Sequence, residues 1–579
     1  MNRRLRFLTA GESHGQGLLG ILEGLPAGLP LEAADIDRDL ARRQMGYGRG
    51  GRMRIESDAV EILSGVRFGT TLGSPLGLLV RNRDWANWTE RMRVEPGGPD
   101  PRPVLVPRPG HTDLAGALKY GQTQDLRDVL ERASARETAM RVALGAAARV
   151  LLRDLGIQVG SYVRSIGQAD AEDAADVVPQ LFGEDAEGLA LLADATETRA
   201  LSEEASERLV AAIKKAQQRR DTLGGVIEVV ATGVPPGLGS HVQADRKLDG
   251  RLGGALLSIQ AIKAVEVGEG IRGGRAYGSE THDPIVLAAG RLRRTRNHAG
   301  GLEGGITNGE PLVLRAVMKP ISTVPDALPS VHLGTLQAVP AHVERSDTCA
   351  VPAAGVVCEA VLALALADAV LEALGGDTME GLRHGFARLR LSLRTAVGQV
   401  FLIGPMGAGK TTVGERLALA LGLPFVDVDA HLAARAGASV AQLFHAEGEE
   451  AFRAREAEAL AELSQSRPAV VALGGGAACT EEAWRRMRRT GVVIALSASP
   501  AELLRRVAAA PGGLSARPLL SGTEPEAKLS ELLRARRGWY ARADAQLRTD
   551  GLSPEAAAGA AVGLLRALEG PLVRPSSPP

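Results

Sequence analysis

Residues Gly404-Pro405-Met406-Gly407-Ala408-Gly409-Lys410-Thr411 form a G-x-x-x-x-G-K-T loop, with about four hundred residues in front of it. Such a loop works only between a buried strand and the first turn of a helix. There its backbone N–H groups can cradle phosphate oxygens, Lys410 can reach the β- and γ-phosphates, and the Thr411 hydroxyl can ligate Mg²⁺. The flanks supply both elements. Val400-Phe401-Leu402-Ile403 reads as a buried strand, and Val413, Leu417 and Leu421 recur at helical spacing. Gly407, Ala408, Gly409, Lys410, Thr411 and Thr412 are therefore expected to hold a nucleoside triphosphate. The loop opens an α/β domain, so the long segment before it must fold as something else.

The two parts differ in pattern. Beyond Leu391, strands expected near 400–403, 424–428, 469–473 and 492–496 alternate with helices, which predicts a parallel sheet covered on both faces. Upstream, glycine- and arginine-rich sequence carries short strand-like runs at 60–63 and 77–80, helical runs over Ala133 to Leu152 and Leu201 to Gln218, and further strands at 225–230 and 312–318. Strands and helices in separate runs predict an α+β fold around antiparallel sheets. We expect domains at 1–390 and 391–570, a linker near 388–397 and a disordered tail at 571–579, which ends Pro575-Ser576-Ser577-Pro578-Pro579.

Net charge is zero, from 68 basic and 68 acidic residues, so no global field favours nucleic acid or a membrane and any anion site must be local. Cys349, Cys358 and Cys479 have no C-x-x-C spacing and an odd count, which fits a reducing compartment and disfavours structural zinc. No charged-then-apolar leader opens the chain. The most apolar run, Ala360 to Leu374, carries Asp368 and Glu372 and reads as a buried or amphipathic helix. A cytoplasmic protein is expected.

After the phosphate loop, Phe425-Val426-Asp427-Val428-Asp429 is expected to put two carboxylates on one side of a second strand's C-terminal end, where open parallel sheets gather ligands. One can hold Mg²⁺ while the other binds an acceptor hydroxyl. Phe452-Arg453-Ala454-Arg455-Glu456, Gly474-Gly475-Gly476, Arg517-Pro518-Leu519-Leu520 and Arg536, four residues before Tyr540, follow. This set resembles shikimate kinase over about 398–560. The resemblance implies that Asp429, Arg453, Gly475 and Arg536 hold shikimate, that Thr411 and Asp427 serve Mg²⁺, and that Arg517 lies on a lid over ATP and the transferring phosphoryl group. Arg453 and Arg455 also suit a solvated helix face, and Asp427 a helix cap. The adjacent Arg536 and Arg537 both suit the carboxylate of the acceptor.

Upstream, Gly11-Glu12-Ser13-His14-Gly15 and Arg108-Pro109-Gly110-His111-Thr112-Asp113 set histidines in glycine-rich turns, which suits proton transfer beside an anion and equally suits a hydrogen-bonded turn histidine. Arg42-Arg43 with Arg49, the run Glu131 to Thr138, Asn297 to Gly301, Gly304 to Gly309, Lys319 to Thr323 and Arg345 to Cys349 join them. Together they resemble chorismate synthase over about 1–385, which implies a β-α-β sandwich, a homotetramer, and phosphate elimination from 5-enolpyruvylshikimate 3-phosphate with reduced FMN. By that resemblance His14 protonates the departing phosphate, His111 acts on the flavin near N1, and Asp347 helps N5 accept the substrate proton. It also implies FMN contacts from Arg132, Ala133, Ser134, Gln260, Ala261, Gly304, Lys319, Pro320, Ile321, Ser322, Thr323 and Arg345, and NADPH at Arg43 and Arg49. Gln44-Met45-Gly46 after Arg43 departs from the arginine-proline-glycine of many members, which leaves the source of reduced flavin open. The two implied reactions are not consecutive, and the other reading of the chain is one active half joined to a degenerate binding or scaffold half.

Overall fold

A computed structural model describes residues 4–49, 57–97, 100, 102–171, 185–288, 291–344, 346–383, 385–386, 389, 399–465, 469–510, 513 and 525–567. The expected linker and tail, Arg345 and Arg517 lie outside the described residues, apart from Leu389. The chain divides into two compact units, Met1–Pro284 with Arg294–Gly385, and Phe386–Pro579 with Ile285–Arg293.

The first unit is an α+β sandwich. One antiparallel sheet orders its strands Arg6–Ala10, Gly17–Glu23, Leu76–Arg81 and Val60–Ser64. A 5-stranded antiparallel sheet orders Ile262–Val267, Leu312–Met318, Gly225–Thr232, Gln158–Ile166 and Ala169–Asp170. Alternation fixes which face is inside: Leu18, Leu22, Leu76, Leu78 and Val80 are buried, while Leu19 and Ile21 face outward. Helices fill the space between the sheets. Thr138–Asp154 packs on the first sheet and on Val351–Leu374, which in turn packs on the strands Gln158–Ile166 and Gly225–Thr232.

Two helices differ from the sequence reading. The run expected from Ala133 starts at Thr138, because the Ser134 side chain accepts from Arg136 N and caps a short 3-10 turn over Ala135–Glu137. The apolar helix begins earlier, at Val351, where Pro352 suits the first turn, and it ends before Gly375. It is long and apolar enough to cross a membrane, yet it is a core helix, 94% buried across its most apolar window. Inside it Glu359 is fully buried. Arg42 donates to it at 2.7 and 3.0 Å, Arg149 and Arg199 at 2.9 Å, and Ser161 Oγ at 2.8 Å.

The second unit is a parallel α/β sheet ordered Phe425–Asp427, Val470–Ala472, Gln399–Ile403, Gly491–Ser497 and Ala545–Arg548. Its central strand is buried throughout, as a strand covered on both faces must be. One core gathers Val400, Leu402, Val413 and Leu417 on one side, and another gathers Phe401, Ile403, Leu460 and Trp484 on the other. The strand expected at 424–428 is shorter. It stops at Asp427, whose side chain accepts from Asp429 N and Ala430 N and starts the helix Val428–Ala436.

Deleting one partner of a buried ion cluster leaves the others uncompensated, at about 3–5 kcal/mol. Glu359→Ala is accordingly expected to lower the unfolding free energy of the first unit, read from urea denaturation, by that amount. Burial alone would raise the Glu359 carboxyl, but Arg42, Arg149 and Arg199 bring it down from 4.5 to about 2. Its contribution is complete above pH 4.5 and is lost as pH falls through about 2. The difference between Glu359→Ala and the unmodified chain should shrink over that window.

Candidate functional sites

In the first unit, the loop between the first two strands carries His14 against the helix Arg127–Ala133. Ser13 N donates to Glu131 O at 3.0 Å, and His14 N donates to Glu131 Oε2 at 2.8 Å. His14 Nδ1 lies 2.9 Å from both Glu131 oxygens, and Arg127 donates to Glu131 Oε1 at 2.9 Å. Burial alone would raise the Glu131 carboxyl; His14 and Arg127 hold it below its ordinary value. The His14 ring stacks on Trp88 with centroids 3.9 Å apart. The loop is also held from below, where Asn82 Nδ2 donates to Glu12 O and Gly15 O at 3.1 and 2.8 Å.

His111 has a parallel arrangement. Its Nδ1 meets Asp113 Oδ1, and Arg108 Nε donates to Asp113 Oδ2 at 2.8 Å. Burial opposes the Asp113 charge, but His111 and Arg108 hold the carboxyl well below the usual range. The segment 319–323 lies against this turn. Arg108 Nη1 donates to Thr323 Oγ1 at 3.1 Å, Lys319 Nζ to Ser322 Oγ at 2.8 Å, and Ser322 Oγ to Gly110 O at 2.9 Å. Pro320 follows Lys319, and the carbonyl of Ile321 accepts from Thr222 Oγ1 at 2.8 Å. Burial and Lys263 disfavour the charge on Lys319 and lower its pKa.

The remaining upstream residues fall into two groups. Arg132 donates to Thr9 O and Gly11 O at 2.8 and 3.1 Å, Ala133 ends its helix, and Ser134 Oγ donates to Ser13 Oγ at 3.1 Å. Gln260 Nε2 donates to Glu137, while Gln260 Oε1 is buried with no partner among the described residues. The next residue, Ala261, sits at φ +68°, and its carbonyl accepts from Lys319 N at 2.9 Å. Gly304 turns the hairpin Leu302–Thr307 at φ +61°. Arg43 is buried, donating to Thr138 Oγ1 and Ala135 O at 3.1 Å; burial and the neighbouring Arg49 lower its pKa. Arg49 pairs with Asp347 at 3.4 Å and lines a cleft with Tyr47, Glu197 and Gln217.

In the second unit the phosphate loop turns through Gly407 at φ +80° and Gly409 at φ +89° into the helix Lys410–Leu421. A Cβ on Gly407 would lie 2.7 Å from Leu503 O, so the turn admits only glycine there. Lys410 Nζ donates to Gly404 O and Pro405 O at 2.9 Å. Thr411 Oγ1 donates to Asp427 Oδ2 at 2.5 Å, with Thr412 next along the helix. Asp427 is thus both a helix cap and the partner of Thr411. Asp429 belongs to the first helical turn, not to the strand on which alternation was expected to set it.

The three glycines after the strand Val470–Ala472 carry a different polar group each. Built at Gly474, a Cβ would lie 2.3 Å from Glu456 Oε1 and 2.9 Å from Asp429 Oδ1. At Gly475 it would lie 3.3 Å from Arg536 Nη1 and 3.7 Å from Gly404 O of the phosphate loop; at Gly476, 2.5 Å from the Arg453 guanidinium. Of the adjacent pair, Arg536 is the arginine found at this turn. Arg453 pairs with the buried Glu456, so it is not merely a solvated face. Burial pushes the Glu456 carboxyl above its ordinary value, although Arg453 opposes this. Tyr540 Oη donates to Gly475 O at 2.6 Å, and burial pushes its phenol up to about 12.

Glu131, Trp88, Arg127, Asp113, Glu456 and Tyr540 were not singled out from the sequence as site residues. A signal existed for some of them: Asp113 follows His111 by two positions, and Glu456 lies one helical turn after Arg453. Trp88 and Arg127 are remote from His14 in sequence and gave none.

A parallel P-loop unit with carboxylates and arginines beside its phosphate loop defines a phosphotransferase class, and the first unit is an α+β sandwich with two carboxylate-bound histidines. The family model "Chorismate synthase" matches residues 5–371, and "Shikimate kinase" matches 406–565. The chain belongs to the chorismate synthase family over the first segment and to the shikimate kinase family over the second, a fusion of the two. Chorismate synthase of Chlorobium luteolum is 52% identical over 394 residues, 68% of this chain and 99% of that protein. A crystal structure of chorismate synthase is 45% identical, covers 67% of this chain and 98% of its own, and has a TM-score of 0.55. A shikimate kinase from Acinetobacter baumannii in complex with shikimate is 33% identical over 30% of this chain and 97% of its own, with a TM-score of 0.29.

A methyl group at Gly476 would displace only the flexible end of Arg453. Gly476→Ala is therefore expected to fold and to bind ATP unchanged while shifting the Arg453 guanidinium; on the role that the resemblance implies for Arg453, shikimate affinity should fall about tenfold, or about 1.4 kcal/mol. Calorimetric titration with each ligand checks this.

Proposed function

We propose that the chain catalyses two reactions of the shikimate pathway. One is ATP-dependent phosphorylation of the 3-hydroxyl of shikimate. The other is 1,4-elimination of phosphate from 5-enolpyruvylshikimate 3-phosphate to give chorismate. The observation that carries the reading is that each unit gathers its own acid–base and anion-holding groups.

In the second unit the donor set fits a magnesium nucleotide: helix-terminal N–H groups, a lysine, and a hydroxyl–carboxylate pair. Gly407 to Thr412 would hold the triphosphate, Thr411 and Asp427 the metal, and Arg517 would stabilise charge on the transferring phosphoryl group. ATP supplies the phosphoryl group and Mg²⁺ neutralises its charge. Asp429 accepts the proton of the acceptor hydroxyl, and Arg453 and Arg536 hold the acceptor carboxylate. The approach of Gly475 to the phosphate loop, where a Cβ built on it would lie 3.7 Å from Gly404 O, supports this reading, since acceptor and phosphate groups must meet in line.

In the first unit the buried Gln260 Oε1, without a partner among the described residues, and the strained Ala261 beside it fit a ligand that presents a hydrogen-bond donor. Arg132, Ala133, Ser134, Gln260, Ala261, Gly304, Lys319 to Thr323 and Arg345 would hold FMN there. Reduced FMN, when bound there, would supply electron density to the substrate ring. His14 delivers a proton to the leaving phosphate. His111 and Asp347 would face the flavin, and Arg49 is the NADPH-side residue of this reading; Arg43, already bound to Ala135 and Thr138, would orient that region. A homotetramer through the first unit and a cytoplasmic location complete the proposal.

The test separates the two activities in the full chain. Lys410→Met should lower shikimate phosphorylation at least ~10²-fold and leave chorismate formation intact. His111→Ala should do the reverse, with a loss of ~10² to 10⁴-fold. Loss of both activities from either change would reject independent sites, and an unmodified chain lacking one activity would restore the scaffold reading.

A further inference from the structure

The groups around His14 form a built socket. Glu131 approaches from the helix Arg127–Ala133 and touches both His14 N and Nδ1. Trp88 stacks on the imidazole, and its own Nε1 donates to Asp84 at 2.9 Å. Arg127 and Arg91 lie over the Trp88 ring at 5.0 and 5.3 Å. Arg127 also pairs with Glu344 at 3.6 Å, and Glu344 meets His342 Nε2 at 3.3 Å. Glu12 is the charged neighbour on the loop of His14 itself. Glu131 is buried and ionised, and an ionised carboxylate can only accept hydrogen bonds. The nitrogen facing it must therefore carry hydrogen. We propose that Glu131 is a positioning residue for His14: it fixes the Nδ1–H tautomer and ring orientation, so that Nε2 is the nitrogen that gives and regains the transferred proton.

The inference rests on reading His14 as the acid that assists phosphate departure, and the experiment separates the two. Glu131→Gln keeps an acceptor oxygen for His14 N and removes the charge. In chorismate formation by the full chain, its kcat should fall ~10 to 100-fold with KM within about twofold. A positive imidazole loses stabilisation without its anion, so the alkaline limb of the pH–rate profile should move to lower pH. Glu131→Asp, which retains the charge, should restore the limb. In the unmodified protein, ¹⁵N spectra of labelled histidine at alkaline pH, assigned against His14→Gln, should show hydrogen on Nδ1. That measurement decides the matter even where Glu131→Gln does not fold. A His14→Ala variant of normal rate would defeat the reading of His14. An inactive His14→Ala beside a Glu131→Gln of unchanged rate and pH profile, or hydrogen found on Nε2, would overturn the inference about Glu131 alone.

Discussion

One carboxylate organises the first unit. Glu359 lies in the middle of an otherwise apolar core helix, and the three guanidiniums that neutralise it come from separate places: Arg42 at the end of the helix Ala33–Gln44, Arg149 in Thr138–Asp154, and Arg199 in the turn after Asp194. Arg42 and Arg199 also share Asp194, and Arg42 and Arg149 share Asp39. Against a well-packed apolar replacement such a cluster gains little net stability, because desolvation offsets the Coulomb attraction. Its consequence is geometric. The charges can be satisfied in only one register of helix against helix and sheet, whereas the surrounding alanines and leucines would tolerate several.

From that register the loop that carries His14 follows by contact. Arg43, next to Arg42, is held by Ala135 O and Thr138 Oγ1, which locates the start of the long helix. Arg136, in the turn just before it, donates to Asp58 and to Asn82 Oδ1 at 3.0 Å. Asn82 in turn holds the carbonyls of Glu12 and Gly15 on either side of His14. A buried polar chain thus runs from the core to the loop that carries His14, each step of it held by a hydrogen bond. The second unit reaches the same end through backbone. Three successive glycines allow Glu456 with Asp429, then Arg536, then Arg453 to approach within a side chain's thickness of the main chain, and Tyr540 ties the middle carbonyl.

Much of this was legible in the sequence because the signals were local. The phosphate loop, its strand and its helix lie within about twenty residues, and the parallel sheet was readable from period and length alone. The failures have physical reasons. Alternation was extended through Asp429, but the Asp427 side chain offered the next two N–H groups a better partner than a strand could and turned the chain into a helix. Ser134 did the same to the helix expected from Ala133. Glu359 was invisible among apolar neighbours because its partners lie 160 to 317 positions away. His14 stood out in the sequence as a candidate proton carrier, but its contact with Glu131, 117 positions on, did not.

Zero net charge and anionic substrates are compatible because of how the arginines are distributed. Most described arginines near the sites are already paired: Arg108 with Asp113, Arg127 with Glu131, Arg136 with Asp58, Arg453 with Glu456. A paired arginine is a poor long-range attractor but a well-oriented one, since its carboxylate fixes the plane of the guanidinium and leaves other N–H groups to meet a ligand. The described groups of each set lie within one unit, so neither chemistry requires a defined conformation of the peptide between them. Fusion therefore places no geometric demand on either site, and two non-consecutive steps can share a chain without sharing an intermediate.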